Sequence, residues 1–323
     1  MASQTLDQID LRLLQALELD GRASFSRIAE VLGVSDQTVA RRFRRLHATV
    51  RLRVTGMTDD SRLGRDSWIV RLGCTPNVAE QLALALAKRP DTQYVDLVSG
   101  GTEVLCAMRP RTRQERDDLL LERLQRTPRV TSVSAHCILH SFYGGPVGWL
   151  RKINALDPDQ EAALRTPAGA ASTAPIVLDP VDEALLAALH RDGRAALAEL
   201  QKATGQSEAV TRRRLERLRA TGVLYFAVEY DYEPLGQGVG AMCWLTVAPH
   251  ALAQTGRALA GHPEVRFAGA VTGPANIALF MVCRTSGDLY AYLSDRIGAL
   301  TGVQNAETAL ILRRVKTLTY LPR

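Results

Sequence analysis

Little in this chain invites a covalent or catalytic reading. Only five of its 323 residues are cysteines, Cys74, Cys106, Cys137, Cys243 and Cys283. No two form a CxxC or a close-spaced framework, so a disulfide scaffold is excluded and buried, reduced thiols are expected. Aromatic residues make up 5% of the chain. Trp68, Trp149 and Trp244 are accordingly read as core or linker anchors and not as stacking platforms. No apolar run, "IALFMVC" included, approaches the roughly 20 residues that span a bilayer. The N-terminus sets acids before its apolar stripe and has no signal-like core, so a cytoplasmic protein without a membrane segment is expected. Nucleophile elbow, P-loop and dinucleotide fingerprint are all missing. In "HCILH", a strand would put His136 and His140 on one face and Cys137 on the other, which argues against a metal site. These absences lead to the expectation of a non-enzyme with neither cofactor nor metal.

Arginine, by contrast, is abundant and concentrated. Lys and Arg number 40 against 34 Asp and Glu, a net charge of +6, which points to nucleic acid only where the basic residues gather on one face. In "SDQTVARRFRRL", residues 35–46, Arg41, Arg42, Arg44 and Arg45 fall within five positions. From Arg41 to Arg53 there are six Arg and no Asp or Glu. A second stretch, "SEAVTRRRLERL", stands 172 residues later. Around it, residues 6–46 align without a gap on 178–218 with 17 identities in 41 positions, where chance supplies about three. Leu63-Gly64 against Leu235-Gly236 and Pro90 against Pro263 continue the order. The chain is a tandem duplication, long enough for two to four domains.

The periodicity at the start of each repeat predicts three short helices. Leu6, Ile9, Leu13, Leu14 and Leu17 share one helical face, and Asp20-Gly21-Arg22 ends it. A second helix carries Phe25, Ile28, Ala29 and Leu32 and stops at Gly33, which can take the left-handed conformation of a tight turn. Ser35 caps the third, whose inward stripe is Val39, Phe43 and Leu46. This is a helix-turn-helix. The outer face of its third helix presents Gln37, Thr38, Arg41, Arg44 and Arg45, with Arg42 nearer the edge, and these are side chains that bond base edges or phosphates. The second copy offers Ser207, Arg212, Arg213, Arg214 and Arg217, but has Ala209 and Val210 in place of Gln37 and Thr38, and adds Glu216.

The run "LDQIDLRLLQALELDGRASFSRIAEVLGVSDQTVARRFRRL" and its partner "LDPVDEALLAALHRDGR" resemble the Lrp/AsnC, or feast/famine, family of transcription regulators. An ordinary member has one such unit, whereas this chain has two. The resemblance implies a βαββαβ domain after each helix-turn-helix, which drives association and binds small effectors, often amino acids. The hydrophobic pattern agrees independently: "SWIVRLGC", "QYVDLVSG", "EVLCAMRP" and "VTSVSAHCILHSF" read as strands, "VAEQLALALAKR" and "RQERDDLLLERLQR" as helices. Family effector sites lie near a G-x-x-D loop. Here the loops are Gly100, Gly101, Thr102 and Glu103, and Gly273, Pro274, Ala275 and Asn276. Glu103 could meet an ammonium group, while Asn276 carries no charge.

The expected fold is α+β, with two winged or three-helix helix-turn-helix domains and two ferredoxin-like βαββαβ (RAM-type) domains in tandem. The boundaries are 1–54 and 178–227 for the DNA-binding domains, 63–150 and 235–323 for the βαββαβ domains, and 151–177 for a linker rich in Ala, Pro and Gly. The expected function is sequence-specific regulation of transcription. Expected partners are double-stranded DNA bearing an imperfect inverted repeat, a small effector such as an amino acid, and further copies of the chain. Two alternatives share the scaffold: a siroheme decarboxylase-like enzyme using His and Arg around a tetrapyrrole, and a metabolite sensor that does not bind DNA.

Overall fold

The computed structural model describes residues 6–145, 148, 150, 152, 154–165, 176–231 and 238–318. Trp149, Leu235, Gly236 and the linker residues 166–175 lie outside the described residues. The first helix-turn-helix comprises α1 (Gln8–Leu19), α2 (Phe25–Leu32) and α3 (Asp36–Thr49), and is followed by the strand β1 (Arg53–Thr58). Next come β2 (Trp68–Cys74), α4 (Pro76–Ala87), β3 (Thr92–Val98), β4 (Glu103–Met108), α5 (Arg113–Asp117) and β5 (Val130–Tyr143). After α6 (Pro158–Leu164) the order recurs as α7 (Pro180–Arg191), α8 (Leu197–Thr204), α9 (Glu208–Ala220) and β6 (Leu224–Glu229). The second βαββαβ run is β7 (Val239–Val247), α10 (Leu252–Gly261), β8 (Val265–Val271), β9 (Ile277–Cys283), α11 (Ser286–Ala291) and β10 (Val303–Thr317).

Spatially the chain does not divide at the repeat boundary. Met1–Gly64 and Gly145–Gly236 form one unit, Arg65–Gly144 and Gln237–Arg323 the other, so each unit takes a part of both repeats.

In the first unit, Asp7 and Asp10 cap α1 reciprocally, and Asp179 and Asp182 do the same for α7, satisfying backbone N–H groups that a helix start leaves open. Gly33 and Gly205, at φ 68° and 66°, make the left-handed turn into the third helix of each head. One continuous core, including Leu13, Leu17, Ile28, Val39, Leu46, Leu185, Leu189, Leu200 and Leu218, runs through both heads. β1 and β6 pair antiparallel from Arg53 opposite Glu229 to Thr58 opposite Leu224. Each strand packs on the other head's helix, β1 on α7 and β6 on α1. The recurrent Asp-Gly-Arg segments lie at this junction. Arg22 donates to the carbonyls of Gly193 (2.8 Å) and Ala195 (3.0 Å), and Arg194 donates to those of Gly21 (2.7 Å) and Ala23 (3.0 Å). A methyl group at Gly21 would meet Phe226 Cβ at 2.6 Å, and one at Gly193 the Val54 carbonyl oxygen at 2.8 Å, so only glycine permits the approach.

Residues between the repeats also belong to the first head. Leu150, Leu156 and Leu164 enter its core. Gln15 accepts from the backbone N–H groups of Ala155 and Leu156 and donates to Glu161, while Gln160 donates to the Val31 carbonyl.

In the second unit the two sheets close into one barrel, in the order β10-β3-β4-β2-β5-β8-β9-β7. Two long strands make the closure. β5 pairs with β2 through its first half and with β8 through its second, and β10 pairs likewise with β7 and then β3. Alternate residues of the strands face helices and barrel interior, so both faces are covered. Val70, Leu72, Val95 and Val104 pack beneath α4, whereas Ile69, Leu105, Met242, Trp244 and Ala278 form a cluster shared by both repeats. All five cysteines are unpaired. Burial pushes the thiols of Cys106 up to about 12 and of Cys243 and Cys283 to about 11, which keeps them protonated. The strand arithmetic for "HCILH" fails at a bulge: the β5–β8 register slips between Ile138 and His140, so His136 is buried and His140 exposed. No helix among the described residues is long and apolar enough to cross a membrane.

Candidate nucleic-acid interface

α3 is held by its stripe of Val39, Phe43 and Leu46 and by the Ser35 cap, whose Oγ accepts from Thr38 N at 3.2 Å. This orientation leaves Gln37, Arg41 and Arg44 exposed and Thr38 half-buried. Arg41 makes no ion pair among the described residues, and Arg44 bonds only the carbonyl of Ala40, one turn back on its own helix. Gln37, Thr38, Arg41 and Arg44 are therefore placed together on one outward surface.

The other two arginines expected there do a different task. Arg42 donates to Asp7 and, at 3.4 Å, to Asp10, while Arg45 donates to Asp10. The second head repeats the arrangement: Arg214 donates to Asp179 (2.6 Å) and Asp182 (2.9 Å), and Arg217 to Asp182. Asp10 and Asp182 are fully buried, so each carboxylate depends on its arginine partners as well as on its own helix start. The Arg45 pKa is raised, chiefly by its hydrogen bond to Asp10. Burial works against the Asp7 charge, but the Asp10 N–H and Arg42 outweigh it and hold the carboxyl below the usual range. For Asp179 the Asp182 N–H and Arg214 have the same effect. Arg42 and Arg214, at 21% and 23% exposure, are largely withdrawn, while Arg45 and Arg217 keep 44% and 47% exposed beside their carboxylates.

The sequence reading of these four as a DNA-facing cluster is corrected to that extent: they fasten the third helix to the first. The signal was already among the 17 identities, because Asp7, Asp10, Arg42 and Arg45 recur together at the same offset. Sequence reasoning also missed that Arg22 and Arg194 join the heads and that Arg219 bonds Asp20 at 2.8 Å across the same junction.

On α9 the outward surface differs. Ala209, Arg212, Arg213 and Glu216 are exposed. Arg212 is paired with Glu208 at 2.8 Å, and Arg213 makes no ion pair among the described residues. Ser207 makes no side-chain capping bond.

The expected effector loops lie in the second unit. Gly100 and Gly101, at φ 69° and 80°, turn the chain between β3 and β4. Thr102 Oγ1 donates to the Ser99 carbonyl at 2.6 Å, and Glu103 accepts from Arg71 Nε at 2.6 Å. Arg71 also donates to both oxygens of Glu307 and lies 5.0 Å from the Trp244 ring. Burial opposes the Arg71 charge, but the bonds to Glu307 and Glu103 outweigh it and raise its pKa. The same bond holds Glu307 below the usual carboxylate range. Trp244 packs 4.8 Å from His136, whose Nδ1 donates to the Thr272 carbonyl beside Gly273. A chain of side chains thus joins the two loops. The rest of the second loop serves the backbone: the Asn276 amide bonds both N–H and carbonyl of Val247 (2.8 and 2.7 Å), the Pro274 carbonyl accepts from Thr246, and Ala275 packs inward. Asn276, expected at an effector, instead ties one strand end to the next.

A family model for the AsnC-type helix-turn-helix domain matches residues 6–47 and 178–219, and one for the Lrp/AsnC ligand binding domain matches residues 240–321. The HTH-type transcriptional regulator FL11 of Pyrococcus horikoshii is 30% identical over 148 residues, 46% of this chain and 97% of the relative. Regulatory protein AsnC of Escherichia coli is 28% identical over 152 residues, 45% of this chain and 97% of the relative. Among solved structures, the siroheme decarboxylase NirDL covers 96% of this chain and 93% of its own, with a TM-score of 0.63 at 15% identity. Its co-complex with an iron-uroporphyrin III analogue matches at 0.61 and 14%. That likeness is one of fold, and it overturns the exclusion of an enzyme. The tandem architecture is one that an enzyme carries, and missing local motifs exclude nothing on a scaffold whose strands bring distant side chains together.

Proposed function

The chain belongs to the Lrp/AsnC family of transcriptional regulators, and from that premise we propose that it binds double-stranded DNA sequence-specifically, one head on each half of an imperfect inverted repeat. The observation that carries this reading is the outward group of Gln37, Thr38, Arg41 and Arg44 on a helix held from behind by the Asp10 lock. A helix fixed in this way loses little freedom on binding, and the donors on its outer face suit base edges and phosphates. The junction of the heads holds the two recognition helices in one unit, so the half-sites should be spaced at multiples of about 10 base pairs. The protein acts in the cytoplasm, and copies associate through the βαββαβ domains. The test is fluorescence anisotropy with duplexes recovered by genome-wide footprinting, repeated across a salt series. Specific binding with a steep salt dependence is expected, and an absence of DNA binding would leave a metabolite sensor or the decarboxylase reading.

The effector is proposed to be a small molecule bearing an ammonium group, an amino acid among them, bound at the loop of Gly100 to Glu103. Support comes from the Arg71, Glu103 and Glu307 cluster, which holds one cation against two carboxylates and so keeps an excess negative charge. Thermal shift with the amino acids, compared with Glu103→Gln, tests it. A decarboxylase reading has the whole-chain likeness to NirDL behind it. Titration with an iron-uroporphyrin would shift the visible absorbance of the tetrapyrrole if that reading holds.

A further inference from the structure

Within the DNA-binding reading proposed above, on which this inference rests, we infer that base sequence is read by the first head alone and that the second head clamps the phosphates of the opposite half-site, which narrows the imperfect inverted repeat to one defined half. Both heads share the scaffold that aims the third helix. The paired aspartates and arginines correspond one to one, and the left-handed glycine before each helix is retained. The two helices are thus presented alike, and any difference in recognition comes from the outward side chains.

Those side chains change class. Gln37 can bond both N6 and N7 of an adenine, and its counterpart Ala209 has no polar side-chain atom. Thr38 offers a hydroxyl where Val210 offers none. Arg44 can take a guanine bidentately, whereas Glu216 in its place accepts only and is repelled by phosphate. Arg212, a cation new to the second head, is paired with Glu208 at 2.8 Å on the exposed surface. What the second helix retains facing outward without an ion pair among the described residues is Arg213, the counterpart of Arg41, while Arg212 and Arg217 are exposed but paired with Glu208 and Asp182. That set has lost the glutamine, the threonine and one of the two free arginines that pattern bases in the first head, and what it keeps is positive charge suited to phosphate.

Selection of bound duplexes from a random library by the full-length chain tests the inference. A consensus with one defined half is expected, next to a degenerate half that is still covered in a footprint. Base changes in the defined half should lower affinity roughly 5- to 100-fold each, and changes in the other half less than about twofold. Grafting A209Q, V210T and E216R together should create a second defined half, an inverted copy of the first. The reverse graft Q37A, T38V and R44E should erase the defined half and leave salt-dependent binding. Four of the six positions are exposed and Thr38 and Val210 half-buried, and circular dichroism with thermal melting verifies that the grafts fold. Two equally defined halves in the parent chain, a defined half that survives the reverse graft, or a folded forward graft that gains no second half would each overturn the inference. Enrichment of no duplex at all would remove the DNA-binding reading itself, and this inference with it.

Discussion

The two heads of this chain are alike where they are fastened and unlike where they face outward. In each, a buried aspartate on the first helix holds two arginines of the third. At the outer positions, however, glutamine, threonine and arginine in one head stand against alanine, valine and glutamate in the other. What duplication preserved includes the lock, the Asp-Gly-Arg junction and the apolar stripe of the first helix, and of the outward side chains Arg41 recurs as Arg213. Recurrence within a repeat is a statement about what both copies need to fold, and divergence marks where they can act differently.

The comparison can be broken first at the lock. Asp10→Ala and Asp182→Ala are each expected to cost about 3 kcal/mol, since each strands two arginines against a buried helix start. Urea denaturation should rank the two losses equal, and a large loss in one head alone would end the analogy. Arg22→Ala and Arg194→Ala should each cost about 2 kcal/mol, the worth of charged hydrogen bonds to carbonyls. Because the two side chains occupy one junction, a double-mutant cycle should show them non-additive.

At the outer face, Arg41→Ala and Arg213→Ala should each lower the log-log salt slope of DNA binding by about one, while Arg44→Ala should relax the sequence preference of the defined half. A finer difference concerns the caps. Ser35→Ala should cost about 1 kcal/mol by removing the bond to Thr38 N, whereas Ser207→Ala should be close to neutral. The smallest effect is that of acid. The folded-state pKa values of Asp7 and Asp179 are lowered, so their stabilisation is full above the ordinary carboxylate range and is lost as pH falls through the folded values. Melting temperature followed from pH 6 downward should drop in that acidic window in the parent chain and less in Asp7→Asn.

Much of the fold was legible because it is local. The stripe of Val39, Phe43 and Leu46 and the glycine before Ser35 are set by neighbours within a turn or two, and the βαββαβ order follows from runs of alternating or helical period. β1 and β6 were not legible. "RVTGMT" and "LYFAVE" are short, and what makes them strands is each other, across the repeat. The burial of His136 and exposure of His140 depended on a bulge against β8, and the task of Asn276 on the position of Val247. Gln15, on the polar side of a sequence-derived helix, is buried because the chain returns after β5 to place Ala155 and Leu156 against it.

By itself the sequence determined that there are two helix-turn-helix heads and two βαββαβ runs, and that arginine crowds the third helices. These follow from propensity and periodicity, which act between residues a few positions apart. Only the tertiary structure decided which arginines face outward. Arg42 and Arg45 find their carboxylates 32 to 35 residues away, and Arg22 finds its carbonyls 171 and 173 residues away. A guanidinium takes whichever anion or carbonyl the fold brings to it, and no local pattern records where that will be.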